Sequence, residues 1–486
     1  MVYRGKPGLG CALCRQRRLA CDRRRPSCSQ CIRIRKECTG YRDPEALRIV
    51  DQTTEVSLKV QAHRKQSSPP RIPTPPISLD DHVMSHIFNY WVGTNQAQGA
   101  QGMIWYLPAL LRKDPSPALR ASITALGLAS ISGRQEQPIP KSSRLVVEAY
   151  GTALCAINDA LKDPAMATSD STLIAVSVLS LYEMVTSNMG KDQMHGWMNH
   201  TLGATRMLEL RGKEQMNSDL GRYLFENLIL VNAVGALLFR YSKHHSQKIG
   251  MLSKLAASTQ DESSRARHKF YTIAVRVNDL VVKIDHAEKT MGNLQYLLGE
   301  GLLLEADLES WGLSLGQDWH YTFIDGIPSP AHENSNSPTD HSRYHKYHSL
   351  DIAGIWNLYR QTRIIVNETI RTVSHCLLGL EWTYEWEYIM FQAVDTIDQL
   401  ADDVLDTVGF YLNSGPSGVG AVLRLQLPLF IAAICTDKSS ERYEQILGII
   451  EMLATVTGFK QTSNLAQRLR EGCTHGILPQ LSMVHF

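Results

Sequence analysis

The sequence predicts two parts of different kinds: a small cysteine-held cluster domain at the N-terminus and a large all-α helical domain behind it. Three observations predict this. Six of the ten cysteines fall between Cys11 and Cys38. A Pro- and Ser-rich stretch, Ser67 to Ser78, then interrupts the chain, and proline there breaks helix and favours an extended spacer. From Leu79 onward, apolar residues recur at steps of three and four, with little of the β-branched alternation that marks strands.

The cysteines are Cys11, Cys14, Cys21, Cys28, Cys31 and Cys38, spaced C-x2-C-x6-C-x6-C-x2-C-x6-C. One unit, C-x2-C-x6-C, is used twice. Two tetrahedral zinc ions need eight ligand positions. Six thiolates fill eight positions if two of them bridge. The repeat makes Cys11 and Cys28 the natural bridging pair, with Cys11, Cys14, Cys21 and Cys28 around one ion and Cys28, Cys31, Cys38 and Cys11 around the other. A three-disulfide knot and a ring-finger or zinc-ribbon site are the alternatives. The first suits secreted chains, and the second normally uses four ligands per zinc with wider central spacing. With every position filled by sulfur, none is left for a reactive water, so the metal is expected to be structural. A domain this small cannot bury enough apolar surface to fold alone.

Charge points to the partner. Residues 1–42 carry 12 Lys and Arg against 2 Asp and Glu, and the remainder carries 38 against 46. A basic head on an acidic body suits a polyanion bound by the head alone. Arg15, Arg17, Arg18, Arg23, Arg24 and Arg25 can reach phosphates, which gives affinity without sequence information. Arg33 and Arg35 in the second half join them as candidate DNA contacts. Specificity requires a base-edge contact, where guanine offers O6 and N7 to Arg or Lys.

The six cysteines, the basic run after Cys14 and the step Arg25-Pro26-Ser27-Cys28 resemble the two-zinc, six-cysteine binuclear cluster of fungal transcription factors. The resemblance implies zinc-dependent recognition of double-stranded DNA, with the basic pair before the third cysteine, Arg17 and Arg18, reading a CGG triplet. The family commonly has lysine at the second of these positions and a further basic residue before the cysteine. Here Arg18 and Ala20 stand there instead.

In chain order, residues 1–10 are expected to be a flexible basic arm and residues 11–42 the cluster domain, with one or two helical turns after Cys14 and a matching segment, Ile32 to Lys36, after Cys31. Residues 43–79 form a linker. Its first part starts like a helix at Asp43-Pro44-Glu45, an N-cap aspartate, a proline and an acid, running to about Lys65. Heptad stepping there is poor, which favours a linker helix over a dimer zipper. Ser68-Pro69 and Thr74-Pro75 are phosphorylation candidates in an otherwise plain spacer.

Residues 80–486 are expected to form the helical domain, with helices over Asp80–Val92, Ser116–Ser130, Ser143–Leu161 and a buried Ser171–Thr186. The segment His195 to Gly212, with Trp197, His200, Gly203 and Ala204, resembles the W-x-x-H-x-x-GA core of the fungal-specific transcription factor regulatory domain. Leu181-Tyr182-Glu183, Asp351 to Arg360 and Leu427 to Ala432 fit the same pattern. Gly203 and Ala204 are expected to allow close helix approach, and Gly212 to end the helix. Residues 317–349 read as a polar insertion, a solvated loop in which His341, His345 and His348 are weak metal candidates. Val394–Val408 reads as an acidic amphipathic helix, more a surface helix of the domain than a contact for the transcription machinery.

There is no apolar leader and no stretch suited to a membrane span. Cys155, Cys376, Cys435 and Cys473 are scattered, and the protein is expected inside the cell. No P-loop, G-x-S-x-G, H-E-x-x-H or dinucleotide fingerprint is present, so no enzyme is expected. The expected function is a nuclear, zinc-dependent regulator of RNA polymerase II genes at CGG-type sites, as a monomer or a homodimer, with the transcription machinery as a further partner. The resemblance allows a pathway or secondary-metabolite gene-cluster regulator. The alternative is a DNA-tethered regulator whose helical body mainly binds a metabolite or a protein.

Overall fold

The computed structural model describes residues 8–41, 54, 56–59, 78–92, 106–114, 116–133, 143–186, 195–239, 262–325, 343–413 and 418–472. It divides into two units, Met1–Pro76 and Ile77–Phe486. The expectations for Asp43-Pro44-Glu45, for the two Ser/Thr-Pro steps and for His341 lie outside the described residues, although Thr54 and residues 56–59 are helical.

The first unit holds α1 (Ala12–Gln16) and α2 (Ser29–Arg33). Both start earlier than the sequence suggests. Helix was expected after Cys14 and Cys31, but each begins directly behind the first cysteine of its half. Cys11 and Cys28 hold extended backbone (φ −62°, ψ 157° and φ −72°, ψ 151°) and are the N-caps. The Cys14 N–H donates to Cys11 Sγ at 3.4 Å. A cap of this kind leaves no trace in periodicity.

The second unit is built of helices. Its first half comprises α3 (Leu79–His86), which continues as a wider π-turn over Ile87–Val92, then α4 (Leu107–Lys113), α5 (Pro117–Ser132), α6 (Ser143–Lys162), α7 (Pro164–Ala167), α8 (Asp170–Thr186), α9 (His195–Arg211) and α10 (Asp219–Phe239). The second half comprises α11 (Glu262–His286), α12 (Met291–Leu313), α13 (Leu350–Leu380), α14 (Tyr384–Leu405), α15 (Val408–Asn413), α16 (Gly418–Cys435), α17 (Glu441–Thr457) and α18 (Lys460–Arg470).

Side-chain caps set many of these starts. Ser78, Ser116, Thr290, Ser349, Thr383 and Ser440 each accept a first-turn N–H. Gly458 ends α17 in the left-handed region (φ 68°). Successive helices pack on one another: α8 lies against α5 and α9, α13 against α12, α14 and α16, and α18 returns to α8. Ala125, Leu126, Leu173, Ile174, Val178 and Leu179 are buried, and α8 is covered on nearly all sides, as expected of Ser171–Thr186. At Gly127 a Cβ would stand 2.4 Å from Val83 Cγ1, so only glycine lets α3 and α5 approach this closely.

The insertion is not a plain solvated loop. Its described ends form β1 (Thr322–Asp325) and β2 (Arg343–Lys346), an antiparallel pair with Phe323 opposite His345. Trp319, His345 and Tyr347 are buried. Two four-residue strands were hidden by a composition averaged over polar neighbours. His345, a weak metal candidate in the sequence, is carried on β2.

Helix α13 carries a polar core. Arg360 is buried, with Nη1 donating to Tyr347 Oη (2.8 Å) and Nε 3.7 Å from Asp403 Oδ2. Arg363 pairs with Glu305 of α12, and Asp351 with Arg424 of α16 at 2.8 Å. Burial, then the charges of Arg360 and Arg343, lower the His345 pKa from 6.5 to about 3. Burial and Arg267 lower that of His268 to about 4. Both folded pKa values lie below the unfolded ones, so the unfolded chain binds more protons as pH falls below about 6.5. Stability is therefore lost on acidification, by up to about 1.4 kcal/mol per pH unit for each histidine inside its window. Helical circular dichroism melts of the full chain are expected to shift down between neutral pH and about pH 5, and His345→Gln to flatten that shift. A pH-independent melt in that range would refute this.

Candidate zinc cluster and nucleic-acid interface

The head obeys an internal operator of 17 residues that goes beyond its cysteines. In the first half Arg18 N–H donates to Arg15 O (3.2 Å) and Leu19 N–H to Cys14 O (2.9 Å). In the second, Arg35 N–H donates to Ile32 O (3.0 Å) and Lys36 N–H to Cys31 O (3.1 Å). Each pair of bonds closes a helix end in the Schellman manner. The residue at the left-handed position is Arg18 (φ 55°) in one and Arg35 (φ 49°) in the other. Arg23 (φ 53°) and Gly40 (φ 77°) form a further matched left-handed pair.

The halves also cap each other. Ala12 N–H donates to Thr39 Oγ1 at 3.1 Å, and Ser29 N–H to Asp22 Oδ1 at 3.1 Å. Asp22 and Thr39 both directly follow the third cysteine of their half. The Ser29 hydroxyl, then its N–H, hold the Asp22 carboxyl below the usual carboxylate range. Tyr41 Oη donates to Arg24 O and closes the domain. Sequence reasoning missed these three residues, although Asp22 and Thr39 can be found by extending the repeat one step past each C-x2-C-x6-C unit. At Gly10 an added Cβ would stand 2.9 Å from Cys21 Cβ, so the entry to the cluster admits only glycine.

None of the six cysteines is joined in a disulfide. Cys11, Cys14, Cys28 and Cys31 are buried. Their sulfurs converge: Cys11 to Cys28 is 3.8 Å, Cys11 to Cys31 is 3.7 Å and Cys14 to Cys28 is 3.6 Å. Sulfurs about 2.3 Å from one tetrahedral metal stand about 3.8 Å apart, so the donors fit. Two sets lie within 4.8 Å, Cys11, Cys14, Cys21 and Cys28, and Cys11, Cys28, Cys31 and Cys38. Cys11 and Cys28 belong to both. Burial and then neighbouring thiols push the Cys14 thiol well up and that of Cys31 to about 12. Hydrogen bonds from the Cys28 and Gly40 backbone bring Cys38 down to about 7. A metal binding there displaces protons from the buried thiols.

Arg15, Arg17, Arg18, Arg23, Arg24, Arg25, Arg33 and Arg35 are all exposed. Arg15 Nη1 donates to Gly10 O at 2.7 Å, and Arg24 Nε lies 3.7 Å from Asp22 Oδ2. Two of the eight are thus partly engaged within the head.

In the body, Trp197, Ala204 and Leu208 are buried on one face of α9, and Gly212 (φ 61°) ends that helix as expected. Gly203 does not make the close approach expected of it. It is exposed, and a Cβ there would meet only Val176 Cγ1, at 4.0 Å. The tight position is Gly196, where a Cβ would stand 2.4 Å from the Glu183 carboxyl carbon. Glu183 accepts from Tyr150 Oη (2.6 Å), which also bonds His200 Nε2 (3.0 Å), so the Glu and His of the second motif meet between α6, α8 and α9.

His345, Asp403 and Asp406 also converge within 4.8 Å. Arg360 already stands against Asp403 and supplies the positive charge these carboxylates need. In the acidic segment, Asp398 and Asp402 pair with Arg442 of α17, the behaviour of a surface helix of the domain. No described helix is long and apolar enough to cross a membrane.

Residues 9–47 match the fungal Zn(2)-Cys(6) binuclear cluster domain, and residues 81–471 match the fungal specific transcription factor domain. White-opaque regulator 2 of Candida albicans is 39% identical over 65 residues, which cover 13% of this chain and 15% of that protein. The match therefore spans only a small part of that relative's length. No solved structure matches the chain. Both domain families are those of transcription factors, not enzymes. A match over most of the body, preceded by a six-cysteine cluster suited to two zinc ions, shows that the chain belongs to the fungal binuclear zinc cluster transcription factors.

Proposed function

We infer that the protein acts in the nucleus as a regulator of RNA polymerase II genes, holding double-stranded DNA at CGG-type sites through its head. One zinc is assigned to Cys11, Cys14, Cys21 and Cys28, the other to Cys28, Cys31, Cys38 and Cys11. The ions supply folding free energy, roughly 10–16 kcal/mol per structural site in zinc-finger peptides. Arg17 and Arg18 are assigned to base edges, and Arg15, Arg23, Arg24, Arg25, Arg33 and Arg35 to phosphates. The body regulates, as part of a pathway or secondary-metabolite gene-cluster switch, and the protein works as a homodimer where half-sites are paired.

One observation supports Arg18 as a DNA contact, and its place in the basic pair before the third cysteine makes it the base reader. Arg18 occupies the left-handed corner of a metal-anchored helix end. That conformation costs about 1–2 kcal/mol for a residue with a Cβ, and glycine would avoid the cost. Strain kept at such a corner argues that the side chain is used. Arg35 holds the matching corner but is followed closely by Glu37, which suits a weaker, backbone-directed role.

The test is binding-site selection on the zinc-loaded full chain, followed by three variants. Arg18→Ala is expected to flatten base preference by about 1–3 kcal/mol. Arg24→Ala should weaken all sequences alike and reduce the salt dependence. Arg18→Gly should lose base preference while the head melts no lower than the parent, because the corner is relieved. If Arg18 and Arg24 variants lose affinity equally at every sequence, the assignment fails.

A further inference from the structure

The corner between α13 and α14 leaves a leucine and four aromatic rings uncovered. Leu380, Trp382, Tyr384, Tyr388 and Phe391 are 54%, 64%, 72%, 55% and 55% exposed. Thr383 caps α14 and fixes the turn, accepting from Trp386 N–H at 3.3 Å. Tyr384, Tyr388 and Phe391 follow at i, i+4 and i+7, so they project within about 60° of one another. Trp386 and Ile389 on the same helix pack against the core instead. Helix α14 thus has two apolar faces at its start, and the body covers one. A contiguous exposed apolar patch marks an interaction site more often than scattered single residues do.

Charge identifies the occupant. Residues 381–405 contain seven acidic residues and no Lys, Arg or His. Arg442 takes up Asp398 and Asp402, and Arg360 faces Asp403. Glu381, Glu385, Glu387 and Asp395 have no ion-pair partner among the described residues, and Glu381, Glu385 and Asp395 are exposed beside the rings. A second copy placed here by a twofold axis would set this acidic face against itself. A basic segment gains on both counts, since Lys and Arg pair with the carboxylates and stack on the rings, while neighbouring apolar side chains cover Trp382 and Phe391.

We propose that this face docks an amphipathic helical segment of another protein, with an apolar stripe flanked by Lys or Arg. The proposal is independent of the DNA reading, since it uses no residue of the head. The test is titration of the zinc-loaded full chain with a synthetic helical peptide of Leu and Lys, and with a Leu and Glu peptide of the same apolar spacing. The Leu/Lys peptide is expected to bind and the Leu/Glu peptide not to. The combined variant Trp382→Ser, Tyr388→Ser and Phe391→Ser should weaken binding at least about tenfold. Glu381→Lys with Glu385→Lys should weaken it and reduce its salt dependence, and the exposed Leu303→Ser on α12 should leave it unchanged. All these positions are exposed, so melts should stay at the parental value. Equal binding of the two peptides, or full affinity in the triple variant, overturns the proposal. So does sedimentation showing a dimer that the triple variant dissociates, because the face would then be covered by a second copy.

Discussion

Replacing Cys14 with alanine is expected to unfold the head, lower its bound zinc and abolish DNA binding, while the helical body melts as before. Cys14 is buried and belongs to the donor set with Cys11, Cys21 and Cys28. The described residues 8–41 have two five-residue helices and a core made mainly of cysteines. Nothing else there approaches the roughly 10–16 kcal/mol a structural zinc supplies. The loss should not stop at one ion, because Cys11 and Cys28 stand in both donor sets. Metal content by atomic absorption, with a DNA-binding assay on the same preparation, reads both effects. Cys155→Ala, at an exposed cysteine of α6, is the control and should change neither. A Cys14→Ala protein that keeps two zincs and binds DNA would sink the cluster assignment.

Replacing Arg360 with leucine is expected to cost the body about 3–5 kcal/mol, the usual effect of breaking one side of a buried ion pair. The guanidinium is fully enclosed and contacts Tyr347 and Asn357, with Asp403 and His345 Nδ1 at 3.7 and 3.4 Å. It also lies over the rings of Tyr321 and Trp356, 5.2 and 5.5 Å from their centroids. Removing it leaves a partly buried carboxylate and a tyrosine hydroxyl without their donor. Lysine should not rescue it, since a point charge cannot reproduce the planar fork. The contrast is Arg442→Ala, whose partners Asp398 and Asp402 are about half exposed, where a change of at most about 1 kcal/mol is expected. Denaturant melts of the three variants decide the matter. Equal effects at Arg360 and Arg442 would show that the buried cation is not what holds this part of the body.

The cysteine spacing was legible because metal coordination imposes a fixed number of donors at fixed intervals. The long helices were legible because burial on several faces writes a dense apolar period into Ser171–Thr186. Other features have causes that periodicity does not record. The head helices begin where Cys11 and Cys28 turn the backbone, and the sequence offers only five residues in which to see it. Gly203 and Ala204 were expected to allow close approach, yet the tight position is Gly196, whose close neighbour is a carboxylate on another helix. His345 reads as one of several loop histidines until β2 carries it beside Arg360. The acidic segment drew attention to Val394–Val408, whereas the uncovered face lies one to three turns earlier. Aromatic residues at 384, 386, 388 and 391 look alike in sequence, and only packing decides which ones turn inward.

Helix α13 is 31 residues long, about 46 Å from end to end, and a long apolar helix can slide along its neighbours at little cost. This one cannot. Asp351 is matched to α16, Arg360 to α14 and Arg363 to α12, three helices reached from three levels. A shift by one turn, about 5.4 Å, would move all three charges off their partners together. Each mismatch would leave a buried or half-buried charge without its partner, so the alternative registers are disfavoured even where their apolar contacts would be as good. These paired charges act as the notches of a key, and α13 has one depth at which it turns.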